Sequence, residues 1–285
     1  MRRLIVNADD FGLTSGVNRA IAEGNRAGMV TSATLMANAR ATDEAIDLAR
    51  ARPSLHTGCH VVLIDGVPLA ANAPSLTNGS PRFRSSLKQF ALAAVRKQIA
   101  AEEIQREVEA QIRKIQLRGI TLTHVDSHKH THMFPHILRP VLRAAKACGI
   151  RAIRNPFEPL RTWPIGMVLG APGLWLRSAG VMAFQMFSGA FRRALKEEGM
   201  VSTDGTVGIA VTGLLDQRKL LRILEALPEG TWELVCHPGY FDADLQSAGT
   251  RLTQSREIEL SALMSAETKK ALAHHQIELT SYADL

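Results

Sequence analysis

Two adjacent carboxylates, Asp9 and Asp10, stand at the end of a short apolar run, Leu4-Ile5-Val6, and are followed by Phe11-Gly12. Carboxylates where a buried strand meets a loop are costly unless a metal, a proton or a cationic partner meets them. A second chemical segment is denser. In His124-Val125-Asp126-Ser127-His128-Lys129-His130-Thr131-His132, imidazoles and a carboxylate occupy alternate positions. A regular strand through this segment would turn all five toward one face. Imidazole with carboxylate suits a borderline divalent metal such as zinc. A catalytic zinc site uses three protein ligands and keeps a position open, so not all of these groups can bind one ion. The spacing alone does not choose among the histidines.

Two further histidines close apolar strands. His60 follows Gly58-Cys59, and His237 precedes Pro238-Gly239. Proline ends a strand ladder and glycine permits a sharp turn, so His237 is placed to donate a proton at a strand end. If the first strand stays regular, Asp9 and Asp10 face opposite ways. A local bend would bring both to one site, one to bind metal and the other to act as a base, as acid and base roles separate when environments differ.

The elements that must position these groups alternate between the two hydrophobic periods. Strands are expected at 3–8, 30–36, 55–63, 122–128, 152–154, 207–212, 232–239 and 277–280. Helices are expected at 17–27, 41–51, 86–118, 135–147, 216–227 and 255–275. Ile104, Val108, Ile112 and Ile115 recur at spacings of three and four, which is helical. Residues 64–84, rich in Gly, Pro, Asn and Ser, read as a long functional loop. Strand–helix alternation over nearly the whole length predicts an α/β fold with a parallel sheet. About seven such units favour a distorted (β/α) TIM-like barrel in one domain, 1–285. Barrel chemistry sits at the carboxyl ends of the strands. There fall Asp9, Asp10, His60, Asp126 to His132, Arg154 and His237.

With 285 residues, of which 46% are hydrophobic, the chain can bury a substantial core. At 5% aromatic it does not suggest a base-stacking platform, and no nucleic-acid partner is expected. The net charge of +7 is scattered, which fits a solvated basic surface or attraction to an anionic membrane. Three widely spaced cysteines, Cys59, Cys148 and Cys236, point to a reducing cytoplasm. The N-terminus lacks the apolar stretch of a signal peptide.

One stretch departs from the barrel pattern. Residues 163–191, inside an apolar insertion around 160–200, are dense in Trp, Met, Leu, Val and Phe, with Arg177 as their only charge. Arg192, Arg193 and Lys196 follow. Glycine and proline interrupt it, so it does not read as a membrane span. An apolar segment with basic flanks can lie on a membrane or cover a lipid tail, giving peripheral association through 163–196 at the inner face. A buried excursion or a homodimer surface accounts for it equally.

Taken together, Asn7-Ala8-Asp9-Asp10-Phe11-Gly12, Gly58-Cys59-His60, the 124–132 segment and Cys236-His237-Pro238-Gly239 resemble the YdjC-like carbohydrate deacetylases, which include the chitooligosaccharide deacetylases. The resemblance runs nearly the whole length, through Leu279-Thr280-Ser281-Tyr282. It implies a distorted (β/α) barrel and one divalent metal, Zn2+ or alternatively Mg2+. It implies Asp10, His60 and His128 as ligands, Asp9 as the base that activates water, and His237 as the group assisting departure of the amine. Arg154 matches a basic position near the site, orienting Asp9 or the substrate. His130, His132 and Asp126 would support the metal or face the substrate. Within the family the chain is similar to the hopanoid biosynthesis-associated deacetylase, which implies an N-acetylglucosaminyl lipid as substrate. The alternatives are a deacetylase of soluble chitooligosaccharides, a metal-assisted phosphoesterase, and a non-catalytic lipid- or sugar-binding protein with a structural metal. The phosphoesterase is disfavoured because no glycine-rich phosphate loop is present.

Overall fold

Arg2–Phe11 forms β1, the strand on which the sheet is built. Its side chains divide between two faces. Leu4, Val6, Ala8 and Phe11 join the main apolar core, while Ile5 packs with Ala152 and Tyr282 in a separate small cluster. This is the alternation of a strand with helices on one side and a barrel interior on the other. In this computed structural model, residues 1–158 and 183–285 are described.

The sheet contains β2 (Ser32–Leu35), β3 (His56–Val61), β4 (His124–Ser127), β5 (Ala152–Ile153), β6 (Gly205–Val207), β7 (Gly230–Cys236) and β8 (Ile277–Thr280). Seven strands follow the order β5-β4-β3-β2-β1-β7-β6, and every pairing is parallel. β7 runs along one edge of β1 over Arg2–Ala8. β8 pairs with β1 from Arg2 to Ile5, and β2 pairs with it from Asn7 onward. The sheet curls until its ends approach. A parallel bridge joins Ala152 to Val201, and Thr206 donates its N–H to the Phe157 carbonyl at 3.3 Å. The result is the distorted barrel expected from the alternation of elements.

Among the described residues the α-helices are α1 (Ser15–Arg26), α2 (Thr42–Arg50), α3 (Pro74–Thr77), α4 (Leu87–Val95), α5 (Ala101–Gln116), α6 (Pro135–Ala147), α7 (Ser188–Glu198), α8 (Gln217–Ala226), α9 (Ala243–Ser247), α10 (Ser255–Met264) and α11 (Ala266–His274). Side-chain caps start several of them: Thr14 accepts from the Val17 N–H at 3.3 Å, and Asp216 from that of Lys219 at 2.9 Å. The four isoleucine and valine positions of α5 are all buried. The edge of that same buried face anchors the long loop after β3. Glu107 accepts from the N–H groups of Leu69 and Ala70, and Gln111 both donates to and accepts from the Val62 backbone.

Several boundaries differ from expectation: β1 runs on to Phe11, β7 ends at Cys236, and three further elements change. The helix expected at 86–118 is two helices, broken by the left-handed Lys97 (φ 55°). The helix expected at 255–275 breaks at Ser265, whose side chain caps α11. The sixth strand ends at Val207. Gly208 turns the chain at φ 97°, and a Cβ there would lie 2.9 Å from the Val235 carbonyl oxygen. The Glu158 carboxylate then accepts from the N–H groups of Gly208 and Ala210.

Most of the apolar stretch, 163–182, lies outside the described residues. Its end folds back on the barrel. Phe184 and Phe187 pack around Phe134 at 5.8 and 6.1 Å, and Phe191 meets Phe157 at 5.5 Å. Met186 is 77% exposed. No helix among the described residues is long and apolar enough to cross a membrane.

Candidate active site

The first strand does not stay regular. Its register with β2 shifts between Ala8 and Phe11, and Asp10 takes the left-handed conformation, φ 64°. Left-handed backbone is uncommon outside glycine but tolerated by Asp and Asn. The bend turns both carboxylates to the same rim.

Asp10 Oδ1 lies 3.2 Å from His128 Nδ1 and 3.5 Å from His60 Nε2, and those two nitrogens are 3.4 Å apart. The three atoms form a near-equilateral triangle. Donors about 2.05 Å from one ion at tetrahedral angles would stand about 3.3 Å apart, so the set fits a divalent cation such as zinc. Asp10 Oδ1 is buried and accepts no well-aligned hydrogen bond among the described residues. A second acid–imidazole set, Asp9, His60 and Asp126, is equally close. It is served instead by Arg154, which binds both of its carboxylates. The charge balance agrees. Asp9, Asp10, Asp126, Glu233 and Glu259 are buried carboxylates, against buried Arg154 and Arg256.

The groups around the triangle fix its members. Asp126 Oδ1 is 2.7 Å from His60 Nδ1, which leaves Nε2 toward the centre, the usual carboxylate–histidine arrangement behind a metal ligand. Thr34 Oγ1 sits among His60 Nδ1 (3.2 Å), Asp126 Oδ2 (3.1 Å) and Asp9 Oδ1 (3.4 Å). Arg256 Nη2 donates to Asp10 Oδ2 at 2.5 Å. Burial raises the Asp10 carboxyl, but Arg256, His128 and His60 together outweigh it and hold the group well below the usual carboxylate range. His128, with 21% of its side chain exposed, opens the centre to solvent.

Asp9 is gripped by Arg154, whose Nη1 donates to Oδ2 at 2.8 Å and Nη2 to Oδ1 at 2.6 Å. Arg154 also meets Asp126 at 2.6 Å and donates through Nε and Nη2 to Glu233 Oε1 at 2.8 and 2.6 Å. Burial raises the Asp9 carboxyl, yet Arg154 overcomes this and keeps it ionised. His237 Nε2 lies 3.8 Å from Asp9 Oδ2. Its backbone N–H donates to Glu259 Oε2 at 2.6 Å, and its Nδ1 stands 3.9 Å from the same oxygen. Burial pushes His237 down to about 4, so its ring is neutral at neutral pH.

The alternation read in 124–132 ends with β4 at Ser127. Lys129 (φ 55°) and His130 (φ 52°) are left-handed, in a 3-10 turn from His128 to Met133. The five alternating residues therefore serve different places. His128 faces Asp10. His132 is locked between Ser127 Oγ at 2.6 Å and the Arg154 carbonyl at 3.1 Å, and so braces Arg154. His130 stands against His132 edge to face at 6.5 Å, with its Nδ1 buried and without a hydrogen-bond partner among the described residues. His124 lies deep in the barrel beside Asn7 Oδ1 at 3.2 Å. Gly58 makes room for that ring, since a Cβ there would lie 2.5 Å from His124 Cε1.

Sequence reasoning overlooked Arg256, Glu259, Glu233 and Thr34. A lone acid inside the apolar run Trp232-Glu233-Leu234-Val235 was a usable signal. Arg256 and Glu259, one turn apart on α10, look like ordinary charges of a solvated helix, yet both are buried.

The acid–base arrangement gives a test by pH. Burial opposes the charged form of His60, but Asp126 outweighs it and raises the imidazole to about 9 in the metal-free protein. A raised pKa contributes stability below the unfolded value of 6.5, and that stability is lost as pH rises through about 9. The full loss is on the order of 3 kcal/mol. Glu259, raised by burial to about 7, is half ionised where that window opens and contributes only to its lower edge, equally in both forms. Chelated protein should therefore lose melting temperature between pH about 7 and 9. A bound cation replaces the proton, so zinc-loaded protein should lose much less. Parallel declines in thermal melts of the two forms would contradict His60 as a ligand.

A model of the YdjC-like protein family matches residues 3–274. A carbohydrate deacetylase from Brevibacillus brevis (strain 47) is 33% identical over 284 residues, covering 99% of each chain. One from Vibrio parahaemolyticus serotype O3:K6 is 32% identical over 286 residues, covering 99% of this chain and 96% of its own. Among solved structures, an Enterococcus faecalis V583 protein assigned provisionally to cellobiose-phosphate cleavage superposes with a TM-score of 0.80 at 24% identity. It covers 99% of this chain and 98% of that one.

Proposed function

The chain belongs to the YdjC-like protein family, and from that membership we propose that it is a metal-dependent hydrolase that removes the N-acetyl group from an N-acetylglucosamine-type sugar. The observation that carries the reading is the Asp10–His60–His128 triangle with an ionised Asp9 and a neutral His237 beside it. A structural metal has no use for such a pair. The relatives named carbohydrate deacetylase supply the substrate class.

A divalent cation held by Asp10, His60 and His128 would polarise the amide carbonyl and make water acidic enough to attack. Asp9 takes the proton from that water. His237, 3.8 Å from Asp9 Oδ2, delivers a proton to the nitrogen as the C–N bond breaks, leaving acetate and a free amine. The proton it delivers is the one Asp9 takes from the water, handed on across the gap between the two side chains. Arg154 keeps Asp9 ionised and aimed.

The finer reading is a lipid-linked substrate, an N-acetylglucosaminyl hopanoid, reached by peripheral association through 163–196. It rests on the apolar composition and basic flanks of that stretch. The whole chain is then one barrel domain carrying this insertion. Zinc-loaded protein should release acetate from N-acetylglucosaminyl lipid faster than from chitooligosaccharides at equal concentration. Faster turnover of the soluble sugar would leave the deacetylase and overturn the lipid assignment. No acetate from either would overturn both.

A further inference from the structure

The turn after β8 sends one side chain, Tyr282, into the barrel while Ala283, Asp284 and Leu285 stay exposed. After β8, the Asp284 carboxylate accepts from the Ser281 N–H at 2.9 Å and from its hydroxyl at 2.8 Å, while Ser281 Oγ accepts from the Ala283 N–H at 3.2 Å. This capping box fixes the turn and sends Tyr282 inward, where it is 3% exposed. Its ring stacks on His124 with centroids 3.8 Å apart and planes 11° from parallel. Its hydroxyl donates to Glu233 Oε2.

Both contacts lead to Asp9. The other Glu233 oxygen accepts from Arg154 Nε and Nη2, and the Arg154 fork holds both oxygens of Asp9. By the second route, His124 Nε2 lies 3.2 Å from Asn7 Oδ1, and Asn7 Nδ2 donates to Asp9 Oδ1 at 3.0 Å. A phenol on an ordinary core site needs only one partner. Here one tyrosine braces two lines that converge on the same carboxylate. A guanidinium is planar, so rotation at its Nε edge swings the fork at the other end.

We propose that Tyr282 is a positioning residue for the reaction, holding Glu233 and His124 so that Arg154 and Asn7 aim Asp9 at the attacking water. This rests on Asp9 being the base. The turn after β8 thereby becomes part of the catalytic architecture, although β8 itself pairs only with the first half of β1, from Arg2 to Ile5.

Tyr282→Phe keeps the stacked ring and removes only the hydroxyl. With wild-type protein shown to release acetate, kcat should fall on the order of tenfold, as for other outer partners of such sites. KM and zinc stoichiometry should not change. In a Glu233→Gln background the same substitution should have almost no further effect, since the hydroxyl then has no carboxylate to hold. An unchanged kcat in Tyr282→Phe, a fall that appears in KM or zinc stoichiometry instead, or full additivity with Glu233→Gln, overturns the proposal. A wild-type protein that releases no acetate from any N-acetylated sugar overturns the deacetylase reading itself, which is a separate outcome.

Discussion

Asp9→Asn should lower kcat for acetate release by about 10²- to 10⁴-fold, the range for a lost general base. The substitution keeps the shape of the side chain and the bend at Asp10. The amide still offers one oxygen to Arg154 Nη2 and to Asn7, but it can take no proton. Arg154 retains Asp126 and Glu233 as charged partners, so the protein should fold. Zinc binding should persist, because none of the three atoms of the triangle belongs to Asp9. Asp10→Asn is the complementary case: it should weaken zinc binding itself, measured by titration calorimetry. If Asp9→Asn retained more than about a tenth of wild-type kcat, another group would have to accept the proton.

The division between the two acids was only partly legible in the sequence. Their adjacency demanded a bend, and the left-handed Asp10 supplies it. The histidine-rich segment was legible as chemistry but not as geometry. Period-two alternation groups 124, 126, 128, 130 and 132 only while the chain stays a strand, and β4 stops at Ser127. The strand–helix alternation and the parallel sheet, by contrast, followed from hydrophobic periods that depend on burial alone, whereas the order of the strands did not. What no local pattern could reveal was the contribution of α10. Arg256 and Glu259 reach the site because that helix packs over the strand ends, and a helical Arg and Glu three positions apart are commonly a solvated pair. Glu233 lies between these extremes, since an acid in an apolar strand announces a partner without saying which.

That partner is Arg154, and its removal should have the largest effect on stability. Arg154 is fully buried and meets Asp9, Asp126 and Glu233 at once. Removing one member of a buried ion pair typically costs about 3–5 kcal/mol, because the abandoned charge remains out of water. Arg154→Met would abandon three carboxylates together. They would take up protons to relieve their repulsion, so the variant's deficit should shrink as pH falls and grow as it rises. Arg154→Lys should rescue only part of the loss, since one ammonium cannot present the fork that Asp9 requires together with the Nε donor to Glu233. Denaturant melts at pH 5 and 8 would read this directly. Activity should fall by more than Asp126 or Glu233 alone could explain, since Asp9 would lose both its aim and its low pKa. A methionine variant as stable as wild type at pH 8 would mean that the three carboxylates are not held ionised by this arginine. The polar interior of the barrel would then need another explanation than the one Asp9 gives it.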